Sequence, residues 1–278
     1  MSEKNHLYLV DGSSYIFRAY HRLPPLTNPE GVPVGAVYGY TTMLWKLAKD
    51  LNDAEEPTHL AVILDHSGNS FRNDIYPEYK ANRPEAPEDL KPQFPLIRDA
   101  TRAFSLPCIE LEGYEADDLI AAYTEAAVAA GWDVTIVSSD KDLMQLIRKP
   151  EDGPCVDMLD TMKNLHLGPD QVMEKFGVAP ELVGDVLALM GDSVDNVPGV
   201  RGVGPKTATK LIVEYGSLEG VLAGAETMKK SKLRENLIEH ADMARLSRVL
   251  VELKRDTPMP QPLEELTLGT IPPDPLRA

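Results

Sequence analysis

Apolar and polar positions alternate along the chain in a way that predicts strands and helices in turn. Three short apolar runs lead into a carboxylate, directly or through two serines: 6–10 into Asp11, 60–64 into Asp65 and 134–137 into Asp140. Helical patterns at 34–51 and 116–130 lie between these runs, so we expect an α/β fold in which helices flank a mainly parallel central sheet. Because the carboxyl ends of parallel strands form the ligand-binding edge of such a sheet, the three aspartates should share one edge.

The segment 66–95 interrupts this alternation. It contains five prolines together with Arg72, Tyr79, Lys80 and Arg83, and it is too long for an ordinary connection. We therefore expect it to leave the sheet as a long excursion.

Beyond about residue 165 the strand pattern gives way to helical periodicity punctuated by glycine and proline, at 180–190, 206–215 and 233–250. The chain accordingly divides into a core at 1–175, which includes the excursion, a helical region at 176–256 and a linker-like tail at 257–278. The end of the tail, 274–278, resembles the start of a further segment.

Composition predicts a globular protein without secretion or membrane signals. Of its 278 residues, 43% are hydrophobic, which is enough to bury a core. No apolar run approaches the roughly 18 residues of a membrane span, and 7–10 is too short for a signal peptide, so we expect a soluble, cytoplasmic protein. Cys108 and Cys155 lack CxxC spacing and are interpreted as small core residues.

The net charge of −16 argues at first against nucleic acid, since phosphate binding normally requires a basic surface. The objection weakens if many of the 44 acidic residues are metal ligands, because bound cations reverse the local field. The six histidines are scattered without HxH or HExxH spacing, so a metal here would be held by oxygen.

Nine acidic residues in short motifs could supply those oxygen ligands. They are Asp11, Asp65, Glu115, Asp117, Asp118, Asp140, Asp142, Asp192 and Asp195. Taken separately, the acidic residues of GYEADD could favour a helix dipole and those of MGDSVDN could cap a turn. Taken together, they favour Mg²⁺ or Mn²⁺ over zinc. Two such ions about 4 Å apart activate water and stabilise the leaving oxygen of a phosphodiester, so phosphoryl hydrolysis is the predicted reaction.

The motif GVRGVGPKT at 199–207 nearly matches a P-loop. Pro205 separates Gly204 from Lys206, however, so the required Gly-Lys-Ser/Thr sequence is missing. A hairpin between two helices fits better, with Pro205 at the first helical position and glycines that let an anion approach the backbone. An ordinary interhelical turn is the alternative.

Five motifs in chain order resemble the 5′ to 3′ exonuclease domain of bacterial DNA polymerase I, a member of the flap endonuclease superfamily: VDGSSYIFRAYH, FRNDIYPEYKANRP, GYEADDLIA, SSDKDLMQL and MGDSVDNVPGVRGVGPKTA. The resemblance covers essentially the whole chain. It implies a PIN-like nuclease core, a helical arch formed by 66–95 and a helix-three-turn-helix motif at about 181–215.

The resemblance also implies a function. The protein would be a structure-specific 5′ nuclease, both exonuclease and flap endonuclease, that uses two or more Mg²⁺ or Mn²⁺ ions in primer removal and DNA repair. Its partner would be DNA with a 5′ flap, a nick or an RNA primer end. Polymerase domains would be covalently linked beyond the tail, and the protein would be a monomer that contacts no membrane.

The same resemblance implies roles for the acidic residues. One ion would be held by Asp11, Asp65, Glu115 and Asp117, and the other by Asp117, Asp140, Asp142 and Asp192. Asp118 and Asp195 would act mostly through water. Asp117 and Asp140 would be central to catalysis.

Basic and aromatic residues would meet the DNA. Lys80 and Arg83 match arch residues that handle the scissile phosphate, Tyr79 matches an aromatic that stacks on an unpaired base, and Arg18 and Arg72 match basic residues near the 5′ side. Four hairpin residues would grip duplex DNA, often with a potassium ion: Gly202, Gly204, Lys206 and Thr207.

Two rival functions remain on the sequence alone. A PIN-class ribonuclease shares the sheet and a smaller acidic cluster, but the excursion and the hairpin argue against it. A module that grips branched DNA without cutting it would have no reason to hold nine acidic residues of like charge together.

Overall fold

A six-stranded sheet forms the centre of the computed structural model, which describes residues 4–54 and 57–269. The strands are β1 (His6–Asp11), β2 (His59–Ile63), β3 (Cys108–Ile109), β4 (Asp133–Val137), β5 (Val156–Asp160) and β6 (Leu165–Leu167). Their order is β3-β2-β1-β4-β5-β6. All neighbours pair in parallel except β6, which runs antiparallel to β5. The predicted α/β fold with a mainly parallel sheet is confirmed.

Helices surround this sheet and continue beyond it. They are α1 (Gly12–Arg22), α2 (Gly35–Ala54), α3 (Phe71–Ile75), α4 (Gln93–Ala103), α5 (Ala116–Ala129), α6 (Pro169–Phe176), α7 (Val183–Met190), α8 (Pro205–Tyr215), α9 (Leu218–Ala225), α10 (Lys232–Glu239) and α11 (Ala241–Val251). The helical pattern at 233–250 therefore forms two helices, because the backbone turns at His240 between them.

The two faces of the sheet carry separate hydrophobic clusters. Leu7 and Leu9 of β1 point into a cluster that includes α5, α7 and α11, while Tyr8 and Val10 point into a cluster that includes α1, α2 and α4. Successive side chains of a strand alternate between faces, so a strand covered on both sides is apolar throughout. Because α7 and α11 share a cluster with the sheet, the helical region packs on the core.

The arch segment, residues 66–95, contains one short helix, α3, followed by turns until α4 begins at Gln93. The expected helical arch is thus mostly non-helical, because prolines at 77, 84 and 87 interrupt the ladder of backbone hydrogen bonds. The segment is fastened to the loop after α7. Lys80 N donates to Asp195 O at 2.9 Å, and Asn82 Nδ2 donates to Ser193 O at 2.7 Å.

The tail was expected to behave as a linker from residue 257, and this is wrong for 257–268. Leu263 and Leu266 are buried, Leu60 N donates to Leu266 O at 2.9 Å, and Leu268 N donates to Thr58 O at 3.0 Å. The apolar residues among the prolines therefore pack beside β2. The part of the prediction at 270–278 lies outside the described residues. Within 4–54 and 57–269, no helix has both the length and the apolar character to cross a membrane.

Candidate active site

The predicted carboxylates converge on one edge of the sheet. Asp11 ends β1, Asp65 follows β2 and Asp140 follows β4, and these three strands are adjacent and parallel. The start of α5 meets them there, since Ala116 N donates a 2.8 Å hydrogen bond to Asp65 Oδ1. Glu115 and Asp117 flank this amide.

Asp11 is held by two serines that the sequence motifs did not single out. One carboxylate oxygen accepts from Ser14 N at 3.0 Å, and the other accepts from Ser14 Oγ at 2.6 Å and Ser138 Oγ at 2.7 Å. Burial raises the pKa of Asp11 despite these hydrogen bonds. Ser138 Oγ also accepts from Asp140 N at 3.0 Å, so this serine connects Asp11 with Asp140.

Asp117 lies at the centre of the negative charge. Burial, followed by the charges of Asp140, Asp11, Asp65 and Glu115, raises its pKa well above the ordinary value. Like charges this close favour protonation or a bound cation. Asp117 therefore marks the position in this edge where a cation is most needed.

Asp142 gives independent support for a cation site. Burial, followed by the charge of Asp140, raises its pKa to about 7. Its Oδ1 atom is buried and has no hydrogen-bond partner in the structure. A buried carboxylate oxygen without a partner is costly unless something binds it, and oxygen donors of this kind suit Mg²⁺ or Mn²⁺.

Cationic side chains pair with three of the other carboxylates. Lys80 Nζ lies 2.7 Å from Glu115 Oε2, and Arg83 pairs with Asp195. Lys141 Nζ lies 2.5 Å from Asp192 Oδ2. Among the described residues, no three acidic side chains are already grouped around one point. The carboxylates thus lie together at the edge, but several of their oxygens face lysine or arginine.

Lys141 was missed by the sequence interpretation. It stands between Asp140 and Asp142 in the motif SSDKD, and this placement of a lysine between two candidate ligands was the available signal. Its ammonium joins the loop after β4 to the loop after α7, where Asp192 lies.

Arg72 and Asp118 have roles different from those expected. Both are buried, and Arg72 donates to the two oxygens of Asp118 at 2.7 Å and to the carbonyl oxygens of Leu250 at 2.8 Å and Glu252 at 2.6 Å. Asp118 also accepts from Lys254 N at 2.9 Å. The expectations that Arg72 meets DNA and that Asp118 acts on a metal through water are therefore wrong for this structure, because the two side chains satisfy each other.

Tyr79 does not present a stacking surface here. Only 4% of the residue is exposed, and its hydroxyl donates to Glu115 Oε2 at 3.2 Å. The expected stacking on an unpaired base is thus not available in this conformation. Its neighbour Lys80 also holds Glu115, so the arch segment orients this carboxylate with two side chains.

Arg18 is half-buried beside the sheet edge. Its Nη1 atom donates to Thr161 Oγ1 at 3.0 Å, and its guanidinium lies 5.2 Å from the centroid of the Tyr15 ring. No acidic partner neutralises it in the part of the chain that the structure describes.

The segment predicted to form a hairpin lies between α7 and α8. Gly202 has a φ of 79°, a conformation that favours glycine. Gly204 is the N-cap residue of α8, and a side chain at this position would project into open space. Gly204 and Lys206 are exposed, and Thr207 is half-buried. The first amides of α8 are therefore accessible to an anion.

The fold and this edge can be compared with known proteins. The family model for the 5′-3′ exonuclease N-terminal resolvase-like domain matches residues 6–177, and the model for the 5′-3′ exonuclease C-terminal SAM fold matches 178–274. A 5′-3′ exonuclease of Aquifex aeolicus is 42% identical over 224 residues, which cover 81% of this chain and 74% of that protein.

DNA polymerase I of Rhizobium leguminosarum is 55% identical over 272 residues, or 96% of this chain and 26% of that protein. The chain thus spans about a quarter of that relative's length. T5 5′-exonuclease with bound zinc has the same fold, with a TM-score of 0.74 and 24% identity over 90% of each chain.

These matches and the acidic sheet edge identify the chain as a 5′ nuclease. The chain belongs to the 5′-3′ exonuclease family.

Proposed function

We propose that this nuclease hydrolyses phosphodiester bonds in DNA next to a free 5′ end, as an exonuclease and as a flap endonuclease. The observation that carries the proposal is the acidic sheet edge around Asp117, which Lys80 and Arg83 face from the arch segment. The substrates would be 5′ flaps, nicks and RNA primer ends on DNA, as in primer removal and repair.

Mg²⁺ or Mn²⁺ ions would bind at this edge. The ligand sets would be those that the family resemblance implies: Asp11, Asp65, Glu115 and Asp117 for one ion, Asp117, Asp140, Asp142 and Asp192 for the other, and Asp195 through water. When bound, such ions supply an activated water and stabilise charge on the leaving oxygen. Structures of T5 5′-exonuclease with divalent ions support this proposal.

Lys80 and Arg83 would bind the scissile phosphate. In the structure they neutralise Glu115 and Asp195, and cations at the acidic edge would compete for these carboxylates and leave both side chains able to donate to phosphate. Such donors stabilise charge that develops on phosphoryl oxygens, and removing one typically lowers the rate on the order of 100-fold.

The arch segment and the sheet edge line a cleft that would hold a single strand. It has a volume of about 630 Å³, and apolar Phe17, Leu64 and Phe94 line it together with Lys80 and Arg83. Bases would contact the apolar residues and phosphates the cations. Arg18 would extend the basic character toward the 5′ side.

The hairpin would bind duplex DNA through phosphates. Exposed amides at the start of α8, with Gly202, Gly204, Lys206 and Thr207, carry no base information, so binding would depend on salt and not on sequence. The potassium ion that the family resemblance implies would bind at the same hairpin. A complex of T5 flap endonuclease with DNA and metal ions, 25% identical to this chain, supports a DNA-binding role.

We also propose that polymerase domains accompany this nuclease in its gene product. The support is that the relatives named DNA polymerase I are much longer than the matched region, since this chain covers 26% to 30% of their length. Reading the surrounding gene tests this directly, since an isolated nuclease gene would contradict it.

The decisive experiment is cleavage of a 5′-labelled DNA flap with Mg²⁺, with EDTA, and with Asp117→Asn. We expect products with wild-type protein and Mg²⁺ only. Glu239→Gln, an exposed acidic residue on α10, is the matched control and should cleave normally. Undiminished cleavage in EDTA would contradict the metal mechanism.

The same assay separates the rivals. A PIN-class ribonuclease would cut an all-RNA flap and spare the DNA flap. A binding module would retain the DNA flap in a mobility shift but release no product with Mg²⁺ or Mn²⁺.

A further inference from the structure

Lys175 has no role in the motifs or in the mechanism above, although its surroundings are unusual. It lies in the last turn of α6, is exposed, and its ammonium lies 5.8 Å from the centroid of the Phe176 ring. Within the described ranges 4–54 and 57–269 it forms no ion pair. In a chain of net charge −16, an exposed lysine without an acidic partner is a candidate phosphate contact.

On one side, Lys175 adjoins the hairpin helix. Thr209 Oγ1 of α8 donates a 2.8 Å hydrogen bond to the carbonyl oxygen of Phe176. The Thr209 methyl also packs against Gly177, where φ is 70° and a Cβ would lie 2.7 Å from Thr209 Cγ2. The backbone beside Lys175 is therefore in contact with α8 one turn after Lys206.

On its other side, α6 approaches the acidic edge through one intervening turn: residues 180–182 contact α6 and also contact 142–146, the segment that begins at Asp142. Burial and the charge of Lys163 lower the pKa of Lys175, the charge of Lys141 adds to this, and the carboxylates of Asp140 and Asp142 oppose it. Two neighbouring lysines, with no carboxylate of the described residues paired to Lys175, leave this surface short of negative charge. A phosphate at this position would supply the missing negative charge.

We propose that Lys175 binds a phosphate of the DNA strand that runs from the carboxylate edge to the hairpin. The proposal rests on the proposed function, because it requires both sites to contact one DNA molecule. Since α6 contacts α8 and, through 180–182, packs near the segment that begins at Asp142, a backbone that spans the two sites passes over the end of α6. Lys175 is thus a positioning residue that sets the path of the duplex.

The test is DNA binding as a function of salt, in EDTA, with a duplex that carries a 5′ flap. Lys175→Gln should lower the slope of log K against log salt by about 1, because one phosphate contact is lost. The loss should be equal on unrelated DNA sequences, and Lys175→Arg should restore the slope. Lys46→Gln, an exposed lysine of α2 on the opposite face of the sheet, changes the same charge and should leave the slope unchanged.

The possible results distinguish the proposed Lys175 contact from the proposed nuclease function. An unchanged slope in Lys175→Gln, with normal Mg²⁺-dependent cleavage, overturns the Lys175 contact and leaves the nuclease proposal standing. A lower melting temperature in both Lys175→Gln and Lys175→Arg would show a structural role and also overturn it. Wild-type protein that neither binds nor cleaves the flap would overturn both.

Discussion

The guanidinium of Arg72 donates two hydrogen bonds of 2.7 Å to the carboxylate of Asp118, and both side chains are buried. Through the carbonyl oxygens of Leu250 and Glu252, the same guanidinium fastens the end of α11 to the start of α5. The pair therefore joins the helical region to the helix that presents Glu115 and Asp117.

Arg72→Ala should destabilise the fold. Removing one partner leaves a buried charge uncompensated, which typically lowers the free energy of unfolding by about 3–5 kcal/mol. Urea denaturation measures this. Arg102→Ala, which removes an exposed pair with Asp99, is the control and should cost about 1 kcal/mol or less. If Arg72→Ala kept wild-type stability and lost only DNA affinity, Arg72 would be a DNA contact after all.

Asp117→Asn should abolish cleavage and yet stabilise the metal-free protein. Burial and four neighbouring carboxylates raise the pKa of Asp117, so a neutral side chain removes repulsion that the folded state otherwise bears. The melting temperature in EDTA and the cleavage rate in Mg²⁺ are the two measurements. A melting temperature below wild type would show that Asp117 serves the fold more than the chemistry.

The stability of the metal-free protein should fall as pH rises from about 4 to about 7. The pKa of Asp142 is raised to about 7, so in this window the folded protein binds more protons than the unfolded chain. Mg²⁺ requires deprotonated carboxylates, and should therefore raise the melting temperature more at about pH 8 than at about pH 5.5. Thermal denaturation with and without Mg²⁺ tests this, and Asp142→Asn should reduce the difference. Equal stabilisation at both pH values would argue against these ligands.

Gly204→Val should weaken duplex binding without unfolding the protein, while Gly199→Val should unfold it. A Cβ at 204 meets open space, with φ at −96°. At 199, φ is 62° and a Cβ would meet the backbone of Met190 and Gly191. Melting temperatures and binding at moderate salt distinguish the two variants. Wild-type affinity in Gly204→Val would make the hairpin an ordinary turn.

The sheet and the acidic edge were predictable because each rests on a local pattern. Apolar runs that end in Asp11, Asp65 and Asp140 reveal both the strand and the direction in which it ends. The short strand β6 was not predicted, since His166 interrupts its apolar pattern.

The burial and the partners of individual charged side chains were less predictable. Whether Arg72 faces solvent or the core depends on where the fold places Leu250 and Glu252. These residues lie 178 and 180 positions after Arg72 in the sequence. Asp118 differs from Asp117 by one position on α5, and the helix turns one toward Arg72 and the other toward the sheet edge. Sequence spacing identified the acidic group but not this division.

The packing of 257–268 beside β2 limits how far the chain can be shortened from its C-terminal side without losing its fold. A truncation at 256 would remove the backbone acceptor for Leu60 and the donor to Thr58, and it would uncover apolar surface where Leu263 and Leu266 lay. Exposed strand edges of this kind pair with other chains. Fragments prepared for crystallisation should therefore retain Leu268, since shorter ones would be prone to aggregate.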